Sequence, residues 1–298
     1  MSSRKTIKRS LVYLLTRLLV FFFNIIPRRM ALFLAGWLAL AAWKLMPRER
    51  YRVFRHLSAV YKDTLKPAEK KLIGRNFFVN SGRNLADVFR FRKHFHSEIK
   101  HLVTVEGLEY FEQAYQNGKG ILGITGHIGN FELLAAYIAD RGYEIAVIGR
   151  EMYDPRLDKL LVENREAMGL VNFATTDPPR QIYSWLKEGK ALGVLFDNDS
   201  FRVGGMFIPA FGRLSNTPVG QTIIGLRAGA AFLPMACLRT RDNRYKIIIY
   251  PPVEYPPGDT SEDCIYQVTL KCTKALEEII NSHKDQWSWI HNRWRTRP

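Results

Sequence analysis

Three cysteines in 298 residues, Cys237, Cys264 and Cys272, are too few and too scattered for a disulfide framework. A small stapled secreted fold is therefore excluded, and a reducing compartment fits. No segment is low in complexity or repeats itself, so arrays and disordered tracts are excluded as well. Long apolar runs are also missing. Residues 11–26 form a 16-residue run broken by Thr16, Arg17 and Asn24, and residues 30–43 form a 14-residue run beyond Pro27-Arg28-Arg29. Each falls short of the roughly 20 residues that cross a bilayer as a straight helix. No A-x-A-like site follows the first run, which speaks against a cleavable signal peptide. Acid is nearly absent from the first 56 residues, where twelve Lys or Arg face only Glu49.

That last scarcity gives meaning to the net charge of +16, because +11 of it lies in residues 1–56. A nucleic-acid binder needs its basic stripe on the folded domain. Here the charge is interleaved with the most apolar part of the chain, which is a membrane pattern and excludes nucleic acid as the partner. Two arrangements of residues 1–46 fit: one tilted anchor with snorkelling arginines, or a helical hairpin lying shallowly in the leaflet with cationic flanks on anionic headgroups.

Residues 47–100 read as a basic helical connector, with three- and four-residue apolar spacing from 67 to 91 predicting one long or kinked amphipathic helix. Lys93-His-Phe-His96 has no further ligand cluster beside it, so no metal site is expected there. From residue 101 to 298 the chain alternates short apolar runs with helical patterns. The runs are 101–105, 120–125, 144–148, 171–174, 191–196, 231–238 and 244–250. Helical patterns include 154–168, 179–187, 219–228 and 261–282. The fold class expected is α/β: a mainly parallel central sheet flanked by helices, an antiparallel pair near its end, and N-terminal membrane-anchoring helices. Sites in such sheets form beyond the carboxyl ends of the strands, where His127, Arg150 and Asp197 to Asp199 all fall.

His127 lies on a turn between a predicted strand and a predicted helix, with Glu132 five residues on. Residues i and i+5 stand about 140° apart on an ideal helix and cannot touch there. With His127 before the helix and Glu132 in its first turns, the carboxylate can reach back to the ring, fix its tautomer and leave a general base. The other reading is a turn histidine beside an ordinary helical Glu.

The segment Gly126-His-Ile-Gly-Asn-Phe-Glu132 resembles the H-x4-D/E signature of glycerolipid-type acyltransferases, in the form used by the late acyltransferases of lipid A biosynthesis. Other segments are similar to that family in the same order: Ile148-Gly-Arg150, Val194-Leu-Phe-Asp-Asn-Asp199, Phe207-Ile-Pro-Ala-Phe-Gly212, Thr217-Pro-Val-Gly220 and the tail from Trp287 to Pro298. Glu132 stands where Asp is commoner, and Asn198 is the middle of D-x-D. The resemblance spans essentially the whole chain. It implies a bacterial inner-membrane enzyme with its catalytic domain on the cytoplasmic face. Its reaction moves a fatty acyl group from an acyl-carrier-protein thioester to a hydroxyl of a glycolipid, a lipid A precursor, with His127 as base and Glu132 as its orienting acid.

Arg150, Asn130, Asp197, Asp199, Gly212 and Thr217 are the candidate substrate-binding residues. Arg150 suits a phosphate; Asp197 and Asp199 offer two carboxylates to a metal, but two alone are weak evidence and a structural tie of the loop to Arg202 or Arg213 is the favoured reading. The reaction needs no metal and no other cofactor. Two alternatives are carried: acylation of another lipid such as a lysophospholipid or a phosphatidylinositol mannoside, and a non-catalytic membrane-bound lipid-binding scaffold.

Overall fold

The computed structural model describes residues 3–199 and 204–297. Five helices come first: α1 (Ser3–Ile25), α2 (Arg28–Leu45), α3 (Pro47–Tyr61), α4 (Pro67–Phe89) and the short α5 (Phe91–His94). The alternating part follows: β1 (Val103–Glu106), α6 (Leu108–Gln116), β2 (Ile121–Thr125), α7 (Phe131–Asp140), β3 (Ile145–Gly149), α8 (Pro155–Glu166), β4 (Val171–Ala174), α9 (Pro179–Lys187) and β5 (Ala191–Leu195). A hairpin of β6 (Gly205–Ala210) and β7 (Arg213–Pro218) leads to α10 (Gly220–Ala228), β8 (Ala231–Arg239), β9 (Tyr245–Ile249) and α11 (Glu262–Ser282).

Seven strands form one sheet in the order β1-β9-β8-β2-β5-β3-β4, parallel throughout except for the β8–β9 pair. The expected α/β class with an antiparallel pair near the end is what the chain adopts. β2 is buried at all five positions, as an apolar central strand must be when helices cover both faces. Leu122 and Ile124 face one core layer with α3, α4, α9, α10 and α11, whereas Ile121 faces the other with α6 and α7. The β6–β7 hairpin forms its own two-stranded sheet and was not among the expected strands.

Pro27 separates α1 from α2. Among the described residues no single helix is long and apolar enough to cross a membrane, and α2 meets α3 at a bend of 87°. The two N-terminal helices differ in kind. On α2, Ala31, Leu32, Ala35, Gly36, Ala39 and Trp43 are buried, and α4 is its principal neighbour. On α1, Leu11, Leu14, Leu18, Phe21 and Ile25 are each more than half exposed, and their spacing puts them on one face.

Arg28, which lies between the two apolar runs, is buried. Its Nε and Nη2 donate to the two Asp87 oxygens at 2.7 and 2.8 Å. Asp87 on α4 is fully enclosed and also accepts from Arg239 Nη2 on β8 (2.8 Å) and from the Tyr245 hydroxyl on β9 (2.7 Å). Burial would raise its pKa, but Arg28 and Arg239 outweigh that and hold the carboxyl ionised below its ordinary range.

Candidate active site

The register of the sheet builds the site. In the β2–β5 pair Thr125 lies opposite Leu195, an offset of 70 residues. Two residues further along each strand the same offset brings His127 beside Asp197. The His127 Nδ1–H donates to Asp197 Oδ1 at 2.9 Å, and the His127 backbone N–H donates to Oδ2 at 2.8 Å. Trp287 Nε1 donates to the same Oδ2 at 2.8 Å. Gly126 admits this carboxylate, because a Cβ there would stand 3.0 Å from it.

Burial would raise the Asp197 pKa, yet the attraction and hydrogen bond of His127, the nearby His291 and the Trp287 N–H push it well below the carboxylate range. An ionised carboxylate only accepts, so Nδ1 carries the ring proton and Nε2 is the basic nitrogen. Burial alone would lower the His127 pKa; Asp197 outweighs it and raises the value above the usual 6.5. The His127 side chain keeps 27% of its surface open, against 2% for Asp197.

Glu132 does not reach His127, and here the structure departs from the sequence expectation. It sits in the first turn of α7, and its oxygens take a bidentate ion pair from Arg165 on α8: Nε–Oε2 2.9 Å and Nη2–Oε1 2.6 Å. Glu132 and Arg165 line a narrow, mostly apolar cavity between α7 and the sheet, together with Thr125, Phe131, Val147, Gly193 and Met235.

The loop holding His127 is tied at nearly every backbone polar group. Its His127 carbonyl accepts from Ser288 N–H (3.0 Å), Gly129 N–H donates to the Gln286 carbonyl (3.0 Å), and the Gly129 carbonyl accepts from Asn84 Nδ2 (2.8 Å). Gly129 has φ +57, and a Cβ there would stand 2.0 Å from the Cys237 carbonyl oxygen, so no other residue fits. Asn130 caps α7 by accepting from Leu133 N–H at 3.1 Å and donates to the Tyr245 hydroxyl at 3.1 Å; it shapes the loop from beneath. The N–H groups of Phe131 and Glu132 lie in the first turn, outside the helical ladder, and no acceptor for them is seen among the described residues.

Not every expected site residue converges on His127. Asp199 accepts from Thr296 N–H (3.1 Å) and Thr296 Oγ1 (2.7 Å), so it fastens the tail to the loop after β5. Of the two arginines considered for it, Arg213 stacks over Trp294, and Arg202 lies outside the described residues. Thr217 is buried and accepts from Arg293 Nη2 at 2.9 Å. Gly212, at φ +69, turns the β6–β7 hairpin. Arg150 is exposed just past β3 and makes no hydrogen bond or ion pair among the described residues. His96, half of the weak metal pattern, pairs with Asp140 at 3.0 Å.

Two residues of the site carried no separate signal in the sequence. Arg165 sat unmarked inside a helical pattern. His291 was visible only as part of the tail, yet its ring stacks on His127 with centroids 4.8 Å apart and planes 22° from parallel.

With this geometry in view, the comparisons decide the family. Residues 2–296 match the bacterial lipid A biosynthesis acyltransferase family. The chain belongs to that family. It is similar to the Escherichia coli lipid A biosynthesis palmitoleoyltransferase, 27% identical over 217 residues, which is 68% of this chain and 64% of the relative. The match to the Escherichia coli lauroyltransferase is 25% over 259 residues, 86% and 82% of the two chains. A Mycobacterium tuberculosis phosphatidylinositol mannoside acyltransferase is 21% identical over 219 residues, 72% and 67%. The chain thus spans somewhat less than two thirds of the first of these relatives.

Proposed function

We propose that the protein is a membrane-bound O-acyltransferase that moves a fatty acyl group from an acyl-carrier-protein thioester to a hydroxyl of a lipid A precursor. The observation that carries this reading is the His127–Asp197 pair, a partly exposed imidazole held at Nδ1 by a buried carboxylate, in a chain of this family. His127 Nε2 removes the acceptor's hydroxyl proton as its oxygen bonds to the thioester carbonyl carbon. The carbonyl oxygen becomes an oxyanion facing the N–H groups of Phe131 and Glu132 at the positive end of α7. Collapse breaks the C–S bond, and His127 returns the proton to the departing thiolate. Arg150, exposed at the same end of the sheet, suits an acceptor phosphate.

The test is direct: purified protein, acyl-carrier-protein thioester and lipid acceptor, with product read by mass spectrometry. A one-acyl mass gain on the lipid A precursor is expected, and Arg150→Ala should lose rate mainly on phosphorylated acceptors. Transfer confined to lysophospholipid, or to the phosphatidylinositol mannoside named in a relative's description, would replace the acceptor. No transfer to any lipid would favour a scaffold.

Membrane attachment is proposed to run through the exposed apolar faces. Leu11, Leu14, Leu18, Phe21 and Ile25 on α1 are joined by Met30, Phe33 and Trp37 on α2. Because the end of α1 is also packed, through buried Phe23, Asn24 on the Phe89 carbonyl and the Phe23 and Ile26 carbonyls on Arg90, the informative cut falls before Phe23. Removing residues 1–22 should weaken binding to anionic vesicles in flotation while leaving a folded domain, and adding charge at Phe33 and Trp37 should release the rest. Full retention of that double variant on vesicles in high salt would put the attachment elsewhere.

A further inference from the structure

His291 is the feature of the site that the mechanism above leaves unused. Its ring lies 4.8 Å from that of the base, nearly parallel to it, on the half-buried tail segment between Trp289 and Arg293. The segment is fixed from both sides. The Trp287 N–H binds Asp197 at 2.8 Å, and the Ser288 N–H binds the His127 carbonyl at 3.0 Å. Beyond the ring, buried Arg293 donates to Thr217 and to the Asn198 carbonyl. No hydrogen bond to either His291 ring nitrogen is seen among the described residues.

The charged and titratable groups around it come from four places: Asp197 after β5, His127 after β2, His56 on α3 and Arg293 on its own segment. Burial and the positive neighbours outweigh Asp197 and lower the His291 pKa, whereas that of His127 is raised. Two adjacent imidazoles therefore divide by role. One is a carboxylate-held base; the other is a neutral ring carrying one N–H and no protein acceptor for it. A neutral imidazole with lowered pKa is suited to donate to a developing oxyanion without giving up its proton.

We propose that His291 is a catalytic hydrogen-bond donor to the tetrahedral oxyanion, acting with the Phe131 and Glu132 N–H groups. The assignment rests on the reading of His127 as the base for acyl transfer. No proton moves through His291: the hydroxyl proton goes to His127 and then to sulfur, while His291 keeps its own.

Full-length His291→Phe, His291→Gln and His127→Ala are to be assayed with the acyl-carrier-protein thioester, alongside thermal melts. Phe keeps the stacked ring without a donor, and Gln keeps a donor without the ring. His291→Phe should lose about a hundredfold in kcat, the scale of one oxyanion donor, with KM for the thioester little changed. His291→Gln should recover part of that loss. A fully active His291→Phe beside an inactive His127→Ala overturns the donor role and leaves the base intact. A fully active His127→Ala overturns the base reading itself. If the His291 variants do not fold, the imidazole 15N signals of the wild-type protein decide. Binding of a phosphonate mimic of the tetrahedral state should shift the His291 N–H resonance, and an unchanged resonance overturns the proposal.

Discussion

Asp197→Asn should cut the acyl-transfer rate by about 10⁴-fold, the scale seen elsewhere when a His–carboxylate pair loses its carboxylate and the wrong tautomer forms. His127→Ala should be at least as severe. Glu132→Gln should be milder, because Glu132 holds Arg165 and not the base. The pH profile adds a second readout. The base works unprotonated, and Asp197 raises its pKa, so the rate should climb with pH through a value above the usual 6.5 and then level off. Without the Asp197 charge the His127 pKa falls, so the residual activity of Asp197→Asn should have its acid limb at lower pH. Steady-state kinetics of the three variants across pH checks this. A larger loss in Glu132→Gln than in Asp197→Asn would mean that Glu132 is the working partner.

The second large effect concerns stability. Asp87→Ala would leave Arg28 and Arg239 facing each other in a dry interior without their shared counter-ion. Removing one member of a buried ion pair costs about 3–5 kcal/mol, which for a domain of this size is roughly a 10 °C fall in melting temperature. The Asp87 pKa is depressed in the folded state, so its contribution is present above the unfolded carboxylate value near 4 and is lost as pH falls through the folded value. Thermal melts of wild type and Asp87→Ala should therefore converge in acid. A constant difference from neutral pH down to pH 2 would show that packing, not charge, is lost.

Much of the sheet was legible because its strands are short apolar runs between helical patterns, and each of the seven expected runs overlaps a strand. The β6–β7 hairpin was not. Pro209 and Pro218 interrupt its strand patterns, and a two-stranded ribbon leaves each strand one unpaired edge at which proline is tolerated. At the site, spacing singled out His127 and gave it Glu132 as a partner, whereas the ring is held by Asp197 and Glu132 pairs with Arg165. H-x4-E reports only what is near in sequence, whereas the carboxylate that binds His127 arrives from 70 residues away on a neighbouring strand. The register that brings it there is a property of pairing, not of either segment alone. Arg28 makes a related point: nothing in the residues around it signals burial, and only the fold supplies the aspartate on α4 that pairs with it.

The order of strands also governs how the protein reaches its working form. The β2 strand has no sequence neighbour beside it: its partners β5 and β8 begin 70 and 110 residues further on, and the Trp287 that steadies Asp197 comes later still. Contacts of such long sequence separation close slowly, since loop entropy is lost before they form. Helices and local hairpins should thus be in place in a refolding chain well before His127 has its carboxylate. Secondary structure would return first and catalytic competence last.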